Sequence, residues 1–234
     1  MHINKQNTQQ HNIKNSCFVT GCDTNYEWAL PWWYDNFQKH NVNKYNLVFA
    51  DLGMSKKALD WCSKRGQIIT SKYKFNIAWF MKPLILSNLP YQYGIWIDLD
   101  CEIRRPLDDL ARYATKGFSV TLDKWALYFC QMKSIPVATG VIATPTNNKI
   151  LLEWVDYTIN NYKNFRGDQE ILNEILKKYC YSKKKYKDVI IMTPYWQWLR
   201  LDGDNPNAFI MHWTGSKGNE IIRQQIINKK INDI

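Results

Sequence analysis

Asp98-Leu99-Asp100 is the stretch of this sequence where residue type and spacing point most directly to chemistry. Two carboxylates at i and i+2 on a strand project to the same side. Held side by side they repel, and each disfavours the charge on the other unless a cation intervenes. A hard divalent ion shared between carboxylates and the phosphates of a substrate resolves that repulsion. An Asp-x-Asp string alone fits a turn or a solvated acidic pair equally well. Its setting adds the information, because the apolar run Gly94-Ile95-Trp96-Ile97 leads straight into the acids. A strand of that kind ends on two carboxylates where its end is exposed or functional.

The second candidate is Met211-His212-Trp213-Thr214-Gly215-Ser216-Lys217-Gly218. A lone histidine after an apolar strand is commonly a satisfied structural residue. Here Gly215 and Gly218 permit close backbone approach to a ligand, and Lys217 supplies a point charge suited to phosphate. His212 and Lys217 together can ligate a metal and hold a diphosphate that the same metal bridges. The third candidate is Asp23-Thr24-Asn25-Tyr26. Asp23 and Asn25 fit a turn or a helix cap; the functional alternative is recognition of a base and ribose, with Tyr26 stacking on the base.

The elements that must carry these residues alternate. Strands are predicted over 16–21, 45–51, 67–70 and 93–98, and helices over 26–40, 55–65 with Ser55 as N-cap, and 76–89 with a kink at Pro83. Strand and helix in turn predict an α/β fold with a mostly parallel sheet and helices on both faces. Ligands in such sheets bind at the carboxyl ends of the strands, where Asp98 and Asp100 fall. Further strands are predicted over 117–121, 138–144 and 208–213, and helices over 148–161, 168–180 and 219–232. Residues 1–15 are expected to form a polar flexible tail and 16–234 one domain. The lysine-rich run 183–187 reads as a solvated loop.

Composition narrows the class. The chain has 234 residues and a formal charge of +10, which suits an anionic partner without choosing among nucleotide, nucleic acid and membrane surface. The six cysteines form no CxxC pair, which fits reduced thiols and a cytoplasmic setting. The N-terminus lacks the apolar core of a secretory signal, and no apolar run reaches the length of a membrane span. Contact of the basic helix 219–232 with an anionic membrane surface stays open.

Taken together, these segments resemble the GT-A-type glycosyltransferases, in particular the family of glycogenin and the bacterial lipopolysaccharide galactosyl- and glucosyltransferases. Four matches, in family order and spanning residues 16–218, carry the resemblance. They are Asp23-Thr24-Asn25-Tyr26; Asp98-Leu99-Asp100; Gly140-Val141 followed by Asp168-Gln169; and His212, Gly215 and Lys217 as His-x-x-Gly-x-Lys. The metal strand also resembles those of mannosyltransferase and clostridial-toxin-like relatives, and Lys217 is followed by Gly218 where the family usually has Pro-Trp.

The resemblance implies a single GT-A domain that transfers a hexose from a UDP-sugar, with retention, to an acceptor the sequence does not identify. It implies Mn²⁺ or Mg²⁺ held by Asp98, Asp100 and His212. Donor contacts would come from Asp23, Asn25, Tyr26, Lys82, Asp98, Gly140, Gly215 and Lys217. Asp168 and Gln169 would lie at the reactive face of the sugar, although an acid in the first turn of a helix is also favoured by the helix dipole alone. A metal-dependent nucleotidyltransferase and a basic nucleic-acid-binding protein are the competing readings. The second accounts for neither the paired acids nor the His-Gly-Lys turn, so no nucleic-acid partner is expected.

Overall fold

The computed structural model describes residues 15–41, 44–123, 136–182, 185–186, 188–231 and 234. Strands β1 (Ser16–Cys22), β2 (Asn46–Asp51), β3 (Gln67–Thr70), β4 (Tyr93–Ile97), β6 (Phe118–Leu122), β7 (Val137–Pro145) and β10 (Val189–Ile191) form one seven-stranded sheet, ordered β10-β6-β7-β4-β1-β2-β3. β1 runs parallel to both β2 and β4, and β2 parallel to β3. Only β7 is reversed, pairing antiparallel with β4 and β6. The sheet is therefore mostly parallel, as the alternation of elements predicts.

The sheet lies between two apolar layers because successive strand side chains point to opposite faces. Phe18, Phe49, Ile95 and Ile97 pack with helices α1 (Leu30–Asn41), α2 (Lys56–Ser63) and α4 (Asp108–Lys116). Cys17, Val19, Val48 and Trp96 pack against α3 (Lys82–Ser87), α5 (Lys149–Asn161) and α6 (Asp168–Leu176). Ser55 caps α2 as expected, its hydroxyl accepting from the Ala58 N–H at 3.2 Å.

A second sheet, ordered β11-β12-β5, joins β5 (Cys101–Ile103), β11 (Trp198–Leu199) and β12 (Ile210–His212). α7 (Gly215–Lys229) follows β12, and a two-stranded hairpin joins β8 (Cys180–Ser182) to β9 (Lys185–Tyr186). The tail over 1–14, and residues 183, 184 and 187 of the lysine run, lie outside the described residues. No helix among the described residues is long and apolar enough to cross a membrane.

Several local expectations are corrected. Pro83 does not kink a long helix: residues 78–81 form a 3₁₀ turn and α3 starts at Lys82, with Pro83 in its first turn. A proline is tolerated there because that N–H has no intrahelical partner to lose. α4 has no counterpart in the predicted elements, although Asp108 and Asp109 in its first turn, Lys116 in its last and buried Leu110, Ala111 and Ala114 mark it as helix. The 168–180 segment is α-helical only to Leu176 and then passes through a 3₁₀ turn into β8. α7 begins at Gly215, four residues before the predicted start, so the glycine-lysine turn is the first turn of a helix.

Candidate functional site

The parallel strands bring the segments after β1, β2 and β4 to one edge of the sheet, together with the stretch before α3. They enclose a cleft of about 610 Å³ lined by Asp23, Asn25, Tyr26, Leu52, residues 76–79, Lys82, Trp96, Asp98, Asp100 and Asp168. The cleft thus gathers the Asp-x-Asp acids, the loop after β1, Lys82 and Asp168. Gln169, Gly140, His212, Gly215 and Lys217 do not line it.

Asp98 and Asp100 occupy the turn between β4 and β5 rather than the strand itself, so their side chains diverge. The Asp98 N–H donates to the Gly140 carbonyl at 2.8 Å, which anchors the turn to β7. Asp98 Oδ1 accepts from the Trp96 indole N–H at 2.6 Å and lies 2.9 Å from Lys82 Nζ. Asp100 turns the other way: its Oδ1 lies 3.2 Å from His212 Nε2. The small sheet makes that second meeting, because β12 pairs antiparallel with β5 in the register His212 opposite Cys101, and the Trp213 N–H donates to the Asp100 carbonyl at 2.9 Å.

Lys82 is the cation at the cleft floor, with 2% of its surface exposed. Its three N–H directions meet the Thr139 carbonyl at 2.9 Å, Asp98 Oδ1 at 2.9 Å and Asp168 Oδ2 at 3.1 Å. Burial pushes its pKa down, but the carboxylates of Asp168 and Asp98 outweigh burial and hold it above the usual lysine value. Burial raises the pKa of Asp98, against the pull of Lys82. Asp100 is held below the ordinary aspartate value, its burial outweighed by His212. The His212 ring is buried, which disfavours its charge, yet the carboxylate of Asp100 raises its pKa on balance.

Behind this site stands Gln197, which sequence reasoning missed. Its Oε1 accepts from the Val141 N–H at 2.9 Å and its Nε2 lies 3.0 Å from His212 Nδ1. Gly140 makes room for the pair: a Cβ there would lie 2.7 Å from Gln197 Nε2 and 2.9 Å from His212 Cε1. Trp96 was also missed: within an apolar strand it reads as core, and the turn after β4 brings Asp98 Oδ1 onto its indole N–H. Gln169 donates to Asp123 Oδ2 at 2.9 Å and accepts from the Thr139 N–H at 3.3 Å, which fixes its amide against β7. Asp23 accepts from the Asn25 N–H at 2.9 Å and from its side-chain amide at 3.1 Å, so this pair builds the turn while lining the cleft.

Lys217 is exposed in the first turn of α7. Gly215 adopts φ +79°, and a Cβ on Gly218 would fall 1.4 Å from the Trp213 carbonyl oxygen. Both glycines are thus required by the way α7 departs from β12.

Among the described residues, Asp100, Cys101 and His212 place one ligand atom each within 4.8 Å of one another. Burial pushes the Cys101 thiol well above its ordinary pKa, so Asp100 and His212 are the natural ligands of a hard cation in that group. An oxygen and a nitrogen 3.2 Å apart can both reach one ion at about 2.1 Å. Four carboxylates (Asp23, Asp98, Asp100, Asp168) line the cleft with one ammonium, Lys82, among the described residues. That negative excess suits a divalent ion.

A mostly parallel seven-stranded sheet, sandwiched by helices and carrying an Asp-x-Asp turn at the end of its central strand, is the GT-A fold. Solved structures bear this out at the level of the fold. The chain is similar to the galactosyltransferase LgtC in complex with donor and acceptor sugar analogs, with TM-score 0.65 and 14% identity over 93% of this chain and 97% of that one. It is also similar to the glycosyltransferase GlyE of Streptococcus pneumoniae TIGR4, with TM-score 0.65 and 13% identity over 94% of this chain and 65% of that one. The bifunctional glycosyltransferase WbbM shares the fold at TM-score 0.61 and 12% identity, over 87% of this chain and 46% of that one. No protein-family model and no curated protein sequence matches the chain.

Proposed function

We propose that this protein is a metal-dependent glycosyltransferase that moves a hexose from a UDP-sugar to an acceptor hydroxyl. The observation that carries the reading is the convergence of Asp98, Asp100 and Asp168 in one cleft with Lys82, the one lysine or arginine lining it among the described residues, at the carboxyl end of β4 in a GT-A fold. Mn²⁺ or Mg²⁺ would be held by Asp100 and His212, with Asp98 contributing the oxygen not taken by Lys82 and Trp96. Bound there, it supplies charge neutralisation for the leaving diphosphate.

The chain's own residues supply the rest. Asp23, Asn25 and Tyr26 receive the nucleoside at the mouth of the cleft, Tyr26 with 41% of its surface exposed and free to stack. Lys217, in the first turn of α7, reaches the diphosphate from the helix N-terminus, where backbone N–H groups also favour an anion. Gly140 and Gly215 act by the close packing they allow rather than by side-chain contact. Asp168 holds the sugar hydroxyls near the reacting carbon, with Lys82 fixing its carboxylate; Gln169, tied to Asp123 and Thr139, braces that segment from behind. The anomeric carbon–phosphate oxygen bond breaks, the acceptor oxygen bonds to that carbon with retention, and its proton passes to the departing diphosphate.

The deciding experiment is calorimetric titration of UDP into the wild type and Asp100→Asn, each with Mn²⁺ and with EDTA. Binding that requires both the metal and Asp100 supports the reading. Absence of binding to folded wild-type protein removes UDP as the nucleotide.

A further inference from the structure

Trp79 is a large side chain at the cleft that no element of the reaction above uses. It sits in the 3₁₀ turn Ala78–Met81, immediately ahead of α3. Trp79 remains 45% exposed while Phe80 and Met81, its neighbours, are buried. Lys82, the first residue of α3, follows three residues after Trp79. Both line the cleft, Lys82 at its floor with Asp98 and Asp168 and Trp79 at its open side. Trp79 also borders the turn before α6: a Cβ on Gly167, the residue ahead of Asp168, would lie 3.5 Å from the indole Nε1. That N–H makes no hydrogen bond among the described residues.

An exposed indole and a charged, hydrogen-bonding floor are the composition of a sugar subsite. One face of a pyranose is a row of C–H groups that pack on an aromatic ring, and its rim carries hydroxyls that polar groups hold. Tyr26 and Trp79 line the same cleft from different segments, Tyr26 after β1 and Trp79 beside Asp168. That gives two platforms for two rings of one ligand.

We infer that Trp79 is the platform for the hexose of the donor, its face packed on the sugar and its N–H directed to a sugar hydroxyl. The inference rests on the UDP-sugar reading and deepens it: the hexose is recognised by stacking over Asp168 and not only by polar contacts. Trp79 is then a specificity-determining residue, since an axial hydroxyl on the stacked face disrupts the packing and an equatorial one does not.

The test is calorimetric titration of UDP, UDP-glucose and UDP-galactose, each with Mn²⁺, into the wild type, Trp79→Phe and Trp79→Ala. In the wild type one UDP-hexose is expected to bind more tightly than UDP. Trp79→Ala should leave the affinity for UDP within about twofold and weaken that UDP-hexose about tenfold, with Trp79→Phe between the two. Equal weakening of UDP and UDP-hexose, no weakening of either, or a wild type that gains nothing from the hexose would each overturn the inference while leaving the nucleotide reading intact. Failure of the wild type to bind UDP at all strikes the nucleotide reading itself, and the inference falls with it.

Discussion

Gln197 Nε2 lies 3.0 Å from Nδ1 of His212. Because the amide oxygen of Gln197 is committed to the Val141 N–H and the Thr121 hydroxyl, the contact to His212 is made by the NH₂ end. Nδ1 is therefore an acceptor, and the ring proton sits on Nε2, facing Asp100 at 3.2 Å. A cation held at Nε2 would leave the ring proton on Nδ1, donor to donor with the NH₂ group. A histidine ligand normally gives its second N–H to a carboxylate or carbonyl, which Gln197, with its oxygen held by Val141, does not offer.

Gln197→Glu follows directly. A carboxylate accepts from Val141 with one oxygen and from a protonated His212 Nδ1 with the other. Mn²⁺ affinity should rise about tenfold, as read by titration of Mn²⁺ followed by electron paramagnetic resonance. Unchanged or weaker binding would show that His212 does not ligate through Nε2.

Lys82→Met keeps the stem of the side chain and removes the charge between Asp98 and Asp168. Losing one partner of a buried ion pair typically costs about 3–5 kcal/mol. The low end is expected, because 27% of the Asp98 side chain reaches solvent. Urea unfolding at pH 7 measures it, and a loss below about 0.5 kcal/mol would mean that the triad contributes no more than a surface pair.

Gly140→Ala places a methyl within 3.0 Å of three atoms of Gln197 and His212. One of these side chains must shift, since overpacking of this kind costs about 1–3 kcal/mol. We expect Mn²⁺ affinity to fall together with stability, both compared with Gly203→Ala as a control remote from packing: a Cβ there meets nothing within 4 Å, although its φ of +79° carries backbone strain. Wild-type metal affinity in Gly140→Ala would separate His212 from the metal site.

Asp108 supplies a pH-dependent contribution far from the cleft. Its carboxylate accepts from the Tyr45 hydroxyl at 2.8 Å and pairs with Lys44, and these partners, outweighing burial, hold its pKa below the ordinary value. A carboxylate depressed on folding stabilises the protein above its unfolded pKa of about 3.9 and loses that effect as the pH falls through the folded value. Asp108→Asn should thus cost about 1 kcal/mol at pH 7, discounted for its partial exposure. The difference from the wild type should close on acidification. A gap that stays constant from pH 7 to the acid limb would point to lost packing instead of lost charge.

The sequence by itself determined the main sheet and the location of its chemistry. Apolar runs such as Gly94–Ile97 specify buried strands wherever they fall, and their alternation with helices leads to a mostly parallel sheet with its site at the strand ends. Asp98, Asp100 and the Asp23–Tyr26 loop were accordingly legible at the strand ends, and Lys82 through the family resemblance. Tertiary structure alone decided which of them touch. That Asp98 faces Lys82 while Asp100 faces His212 follows from a turn ending β4 where a straight strand was expected, and from a three-stranded side sheet whose strands are two or three residues long. Strands that short carry no periodic signal. Gln197, 15 residues from His212, and Trp79, in an irregular turn, act through contacts between segments distant in sequence, and no local pattern of residues encodes contacts of that range.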